Sequence, residues 1–133
     1  MGQTLYAEAR RGVPLTDDEV SGVWAIVGES GVEDEIERFG ADPDALNWES
    51  FFWTPNSSDG AVFSGSTRLP DVTMSAIFTG IDHWGKMLGR IRAELLPDAM
   101  WDVNVDGDPV PWVADEQRFG VGIPPGVDLD AFD

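Results

Sequence analysis

The chain has 133 residues, with 25 Asp and Glu against eight Lys and Arg, for a formal net charge of −17. It holds no cysteine, which excludes disulfides, thiolate metal sites and cysteine nucleophiles. Nucleic-acid binding through counterion release needs clustered cations that this composition does not supply. The length suits one domain.

Residues 4–11 alternate Leu5, Ala7 and Ala9 against Thr4, Tyr6, Glu8 and Arg10. Period two predicts a half-buried strand, although Ala, Glu and Arg also suit a helix. Gly12-Val13-Pro14 breaks it. Thr16 with Glu19 three residues on forms a capping box, and Asp17, Asp18 and Glu19 favour the positive end of a helix dipole. Val20, Val23, Trp24 and Val27 then repeat at helical spacing, predicting a helix over 16–29 that ends near Ser30-Gly31. Residues 29–49 carry Glu29, Glu33, Asp34, Glu35, Glu37, Asp42, Asp44 and Glu49 against Arg38. They read as a surface connection in which Ile36 and Phe39 can pin a short helical turn.

Residues 49–54, with Phe51, Phe52 and Trp53, read as a strand. The turn-rich stretch Pro55 to Gly60 leads into a returning strand over 61–68, so the two form a hairpin. Asn56-Ser57-Ser58 fits a glycosylation sequon, but with no secretion signal it is read as a turn. Met74, Ile77, Ile81, Trp84, Leu88, Ile91 and Leu95 step by three or four, predicting one helix over 72–96 closed by Pro97. A rival reading takes the alternation Val72, Met74, Ala76, Phe78 as a strand, with Asp82 capping a shorter helix. A single period explains every large apolar residue and is preferred. Trp101, Val103 and Val105 alternate with Asp102, Asn104 and Asp106, marking a strand. Asp106-Gly107-Asp108 turns it, and residues 110–118 return. The domain is expected over 1–119, with an acidic tail over 120–133.

This order predicts an α+β fold: a ferredoxin-like βαββαβ sandwich with an added C-terminal strand. Two helices would lie on one face of an antiparallel sheet, leaving the other face partly open.

Asp102-Val103-Asn104-Val105-Asp106-Gly107 matches the first half of an EF-hand loop, but position twelve, which needs a bidentate Glu, is Val113. It is read as a strand and an Asp-Gly turn. His83, the single histidine, lacks a second histidine for a zinc site and a nucleophile to activate. A structural or surface role is expected. No phosphate-binding or dinucleotide-binding glycine motif is present. No catalytic residue, metal or cofactor is therefore assigned. Trp24, Trp53 and Trp84 fit core positions, while Trp48, Trp101 and Trp112 are less committed. The N-terminus has no basic segment followed by an apolar one, so no signal peptide is read. No apolar run of about 18 residues predicts a membrane span. A cytoplasmic location is expected.

Self-repulsion at this charge costs stability and calls for an offsetting cause. Three are considered: an acidic or salt-adapted proteome, a basic partner, or imitation of nucleic acid. Pro14-Leu15-Thr16-Asp17-Asp18-Glu19-Val20, the stretch Gly60 to Asp71, His83-Trp84 and Leu96-Pro97-Asp98-Ala99-Met100-Trp101-Asp102-Val103 together resemble small acidic immunity proteins of bacterial polymorphic toxin systems. The resemblance covers much of the chain as a pattern and carries over no catalytic residue. It implies a cytoplasmic inhibitor that blocks a cognate toxin, often a basic nuclease. The alternatives are a DNA mimic occupying a nucleic-acid-binding cleft, and a small enzyme or ligand-binding domain from an acidic proteome. The candidate partner-binding residues are Asp102, Asn104 and Asp106 on one strand face, with Asp108 at the turn. A rival segment over 33–44 offers Glu33, Asp34, Glu35 and Glu37, and Trp48 and Trp112 are the candidate aromatic contacts.

Overall fold

The structure, a computed structural model, describes residues 3–39, 41 and 45–120. The expected acidic tail beyond Gly120, and Asp42 and Asp44 of the rival segment, lie outside the described residues.

Strand β1 (Thr4–Arg10) is the centre of the sheet. Its odd-numbered residues Leu5, Ala7 and Ala9 are fully buried, as period two requires. β3 (Ala61–Arg68) pairs with one side of β1 and β4 (Met100–Val105) with the other, both antiparallel. β2 (Phe52–Pro55) pairs with β3, and β5 (Asp108–Pro109) with β4, giving the order β2-β3-β1-β4-β5. A register shift between Ala9 and Arg10 interrupts the β1–β3 ladder.

Helix α1 (Asp17–Glu29) starts where the sequence indicates, with both halves of the Thr16–Glu19 capping box formed. Short α2 (Glu33–Arg38) follows, and its Ile36 packs on the core while Phe39 beyond it is exposed. Helix α3 (Met74–Glu94) is a single long helix capped by the Thr73 hydroxyl, so the strand reading of 72–78 fails. Asn47 and Asp71 exchange two hydrogen bonds of 2.7 and 2.9 Å, fixing the approach to β2 against the approach to α3. Asn56 does the same for the hairpin turn: its amide oxygen accepts from the Leu15 amide at 2.8 Å.

The fold is thus α+β, with α1 and α3 packed on a five-stranded antiparallel sheet. The core between them is aromatic. Phe63 lies 5.3 Å from Trp53 and 5.5 Å from Trp101, and Phe51 lies 5.5 Å from Trp84, ring centre to ring centre.

Two expectations need correction. Residues 110–118 do not return as a sheet strand. A two-residue turn, Asp106 at φ 50° and Gly107 at φ 96°, reverses the chain as Asp-Gly turns do. Pairing then stops at Pro109, apart from one further bond from the Val110 amide to the Val103 carbonyl at 2.8 Å. Pro109 and Pro111 have no N–H to extend a ladder. The chain instead builds a second sheet from β6 (Trp112–Val113) and β7 (Arg118–Phe119), with β7 against α3. The other correction is Trp24, which is 53% exposed and rests its ring 5.0 Å from Trp53. At about 100° per residue it lies about 100° around the helix from buried Val23, at the margin of the apolar stripe. Ile26 takes the core position instead.

Candidate functional site

The face of the sheet opposite the helices has no covering layer among the described residues, and the register defines its rows. One row runs Phe52, Ser66, Tyr6, Asn104, Pro109 across β2, β3, β1, β4 and β5. The next runs Thr54, Ser64, Glu8, Asp102. Arg10 and Met100 pair beyond them. Phe52 is 72% exposed, Met100 80% and Tyr6 46%. Between β2 and the central β1, β3 contributes the small hydroxylated Ser64 and Ser66. An open groove of about 520 Å³ continues from Arg10 and Met100 to Arg11, Val13 and Asp98.

The alternation of β4 places Asp102 and Asn104 on this face and buries Val103 and Val105 on the other, as the sequence indicates. Asp106, expected on the same strand face, instead lies beyond the end of β4 in the turn at φ 50°, where its carboxylate accepts from the Thr4 amide at 3.4 Å. Asn104 accepts from the Gly107 amide at 2.9 Å. Asp108 is exposed at the start of β5. These four residues therefore share one hairpin. Glu33, Asp34, Glu35 and Glu37 belong to α2, a separate element.

The two candidate tryptophans are engaged within the fold. Trp48 meets His83 and Trp84 edge-on, with ring centres 5.0 and 6.0 Å away. Trp112 packs on Phe119 at 5.0 Å and lies under the Arg92 guanidinium at 4.2 Å. His83 donates from Nε2 to the Ser30 carbonyl at 2.7 Å.

Six of the eight Lys and Arg are engaged in ion pairs. Arg11 grips Glu19 through two nitrogens, with Nη1 2.9 Å from Oε2. Arg10 reaches both Glu8 and Asp59, and Arg68 reaches both Glu49 and Asp71. Lys86 and Arg118 share Asp82, and Arg90 lies between Glu29 and Glu94. Hydrogen bonds from Arg11 and then from the Thr16 amide hold the Glu19 carboxyl down at about 2. The Ser57 hydroxyl, and then the Ala61 amide, lower that of Asp59. Among the described residues, no cation lies within ion-pair distance of Glu33, Asp34, Glu35, Glu37, Asp102, Asp106 or Asp108. Nor do three or more His, Cys, Asp or Glu side chains among the described residues converge as a metal site would require.

The sequence reading did not single out Tyr6, Phe52 and Met100. A signal was present: each is a large, mainly apolar residue in the opposite phase to a neighbour that the core takes up, respectively the buried Leu5 and Trp53 and the partly buried Trp101.

No described helix is long and apolar enough to cross a membrane. No protein-family model matches the chain, and neither a curated protein nor a solved structure shows detectable similarity to it.

Proposed function

We propose that this chain is a cytoplasmic inhibitor that binds and neutralises a basic protein toxin, in the manner of the immunity proteins it resembles, and has no catalytic step of its own. One observation carries the reading. Six of the eight Lys and Arg lie within ion-pair distance of carboxylates of the same chain, while among the described residues no cation lies within that distance of the acids of α2 or the β4–β5 hairpin. The excess negative charge therefore faces outward, where it speeds association with a positive surface and rejects negative ones. The strand order β2-β3-β1-β4, with every neighbouring pair antiparallel, supports a ferredoxin-like reading of the sandwich. That plan leaves one sheet face available for a partner.

The DNA-mimic alternative requires acids in extended rows, because DNA carries one charge per ~1.7 Å of its axis. On the uncovered face, Glu8 and Asp102 are separated from other acids by Ser64, Ser66, Tyr6 and Asn104, which fits a mixed protein surface better. The proposal expects a toxin domain to be encoded beside this chain, and the test is co-expression with that domain. Growth arrest by that domain should be relieved by this chain. Arrest that persists despite full expression of soluble chain would overturn the proposal.

A further inference from the structure

We infer that the partner docks on the uncovered sheet face, with Phe52, Tyr6 and Met100 as apolar anchors and Asp102 and Glu8 as its charged contacts. This rests on the reading of the chain as a binder of a basic protein. It further specifies which surface is used and what the partner must carry: arginine or lysine side chains interspersed with apolar ones.

The argument begins with the anchors. Large apolar side chains exposed together on a rigid sheet mark an interaction site more often than scattered ones do. Phe52 and Tyr6 lie in one row, separated only by Ser66 on β3. Neighbouring strands are about 4.8 Å apart, so the two rings flank a shallow, serine-floored strip about 10 Å wide. Met100 stands at the far end of the same face, beside the groove bounded by Arg11 and Asp98. Such a floor accepts side chains from a partner without steric exclusion, and aromatic residues on it bury large area on contact.

Charge selects the occupant. Two cations border the face and a third, Arg11, lines the adjoining groove; each is matched by two carboxylates: Arg10 by Glu8 and Asp59, Arg68 by Glu49 and Asp71, and Arg11 by Glu19 and Asp98. Asp102 adds a further negative charge, with Asp106 and Asp108 at the hairpin end. A second copy of the chain is a poor occupant, since each copy carries −17. An uncharged apolar partner would leave these carboxylates desolvated and without a cation. A cationic partner with apolar side chains satisfies both features. By contrast, α2 offers acids on a helix of six residues.

The test uses the intact chain and two synthetic peptides of equal positive charge, one alternating arginine with leucine and one of arginine spaced by glycine. Binding is followed by the methyl resonances of 13C-labelled methionine at ~150 mM sodium chloride, where exposed charges are screened beyond about 8 Å. The arginine–leucine peptide should bind at least about tenfold more tightly and shift the Met100 methyl, leaving that of buried Met87 in place. Phe52→Ser combined with Met100→Ser should abolish the difference between peptides at an unchanged melting temperature. Asp102→Asn should weaken both peptides.

Equal affinity for the two peptides, or an unmoved Met100 methyl in the wild-type chain, would overturn the docking face without bearing on whether the chain relieves toxin arrest. Conversely, failure to relieve arrest with this peptide selectivity intact would remove the inhibitor reading and leave the surface standing.

Discussion

The imidazole of His83 donates from Nε2 to the carbonyl oxygen of Ser30 at 2.7 Å, joining the middle of α3 to the residue that ends α1. Its ring also stands edge-on to Trp84 at 4.6 Å and to Trp48 at 5.0 Å. The single histidine is thus occupied in holding two helices and an aromatic cluster together. His83→Ala should cost about 1–2 kcal/mol, the value of a part-buried hydrogen bond and its packing. His83→Gln, which keeps an N–H donor, should recover part of that. Both variants should retain partner binding once folded, as measured by denaturant unfolding alongside a binding titration.

The Arg11–Glu19 pair gives stability a defined acid dependence. Glu19 titrates at about 2 in the fold, against an ordinary 4.5. A carboxyl depressed in this way contributes stability that is fully present above the unfolded value and is lost as pH falls through the folded one. Unfolding free energy should therefore decline from about pH 4.5 toward about pH 2. Glu19→Gln should lower stability at neutral pH and flatten that decline. Denaturant midpoints across this pH range provide the check, and an unchanged slope would show that other carboxylates govern acid unfolding.

Two glycines on α3 should respond differently from one on α1. A Cβ at Gly89 would lie 2.7 Å from the Arg118 Cα, and one at Gly85 would overlap the Phe119 carbonyl oxygen, both on the backbone of β7. Overpacking of this kind costs about 1–3 kcal/mol, more than the roughly 1 kcal/mol of helix propensity that alanine returns. Gly28 on α1 has open space around its Cα, so Gly28→Ala should stabilise by about 0.5–1 kcal/mol. Thermal melts of Gly89→Ala and Gly28→Ala should move in opposite directions.

These glycines also show where sequence reading stops. The α3 helix was legible because one period linked Met74 to Leu95, and α1 because Thr16 and Glu19 form a local capping signal. Both are short-range relationships. That Gly85 and Gly89 form a channel for β7 depends on residues about thirty positions away, and no local pattern announces it. Trp24 differs from its expected core position for a related reason. Helical spacing assigns it to a stripe, but how much of the stripe is covered depends on what the helix packs against. After Asp108 the apolar content suggests a returning strand, but Pro109 and Pro111 remove the donors that one would need. On the candidate surface, the phase of Asp102 and Asn104 was readable from alternation. Alternation sets Phe52 and Trp53 on opposite faces, but which of the two is buried is decided only by the pairing of β2 with β3.

With a net charge of −17, repulsion among exposed acids should be weakened by salt, which shortens its range to about 8 Å at physiological ionic strength. The melting midpoint should rise between low and moderate sodium chloride. A flat or falling midpoint would mean that internal ion pairs such as Arg11–Glu19 and Arg90–Glu29 already compensate the charge.

The proposal expects a basic toxin domain encoded beside this chain, and inhibition is measured most directly by titrating that purified domain with this chain and following its turnover. Turnover should fall linearly and vanish at equivalence, with weaker inhibition as salt is raised, because complementary charge drives the encounter. Undiminished turnover with the chain in excess at low salt would contradict the proposal that this protein neutralises a basic partner.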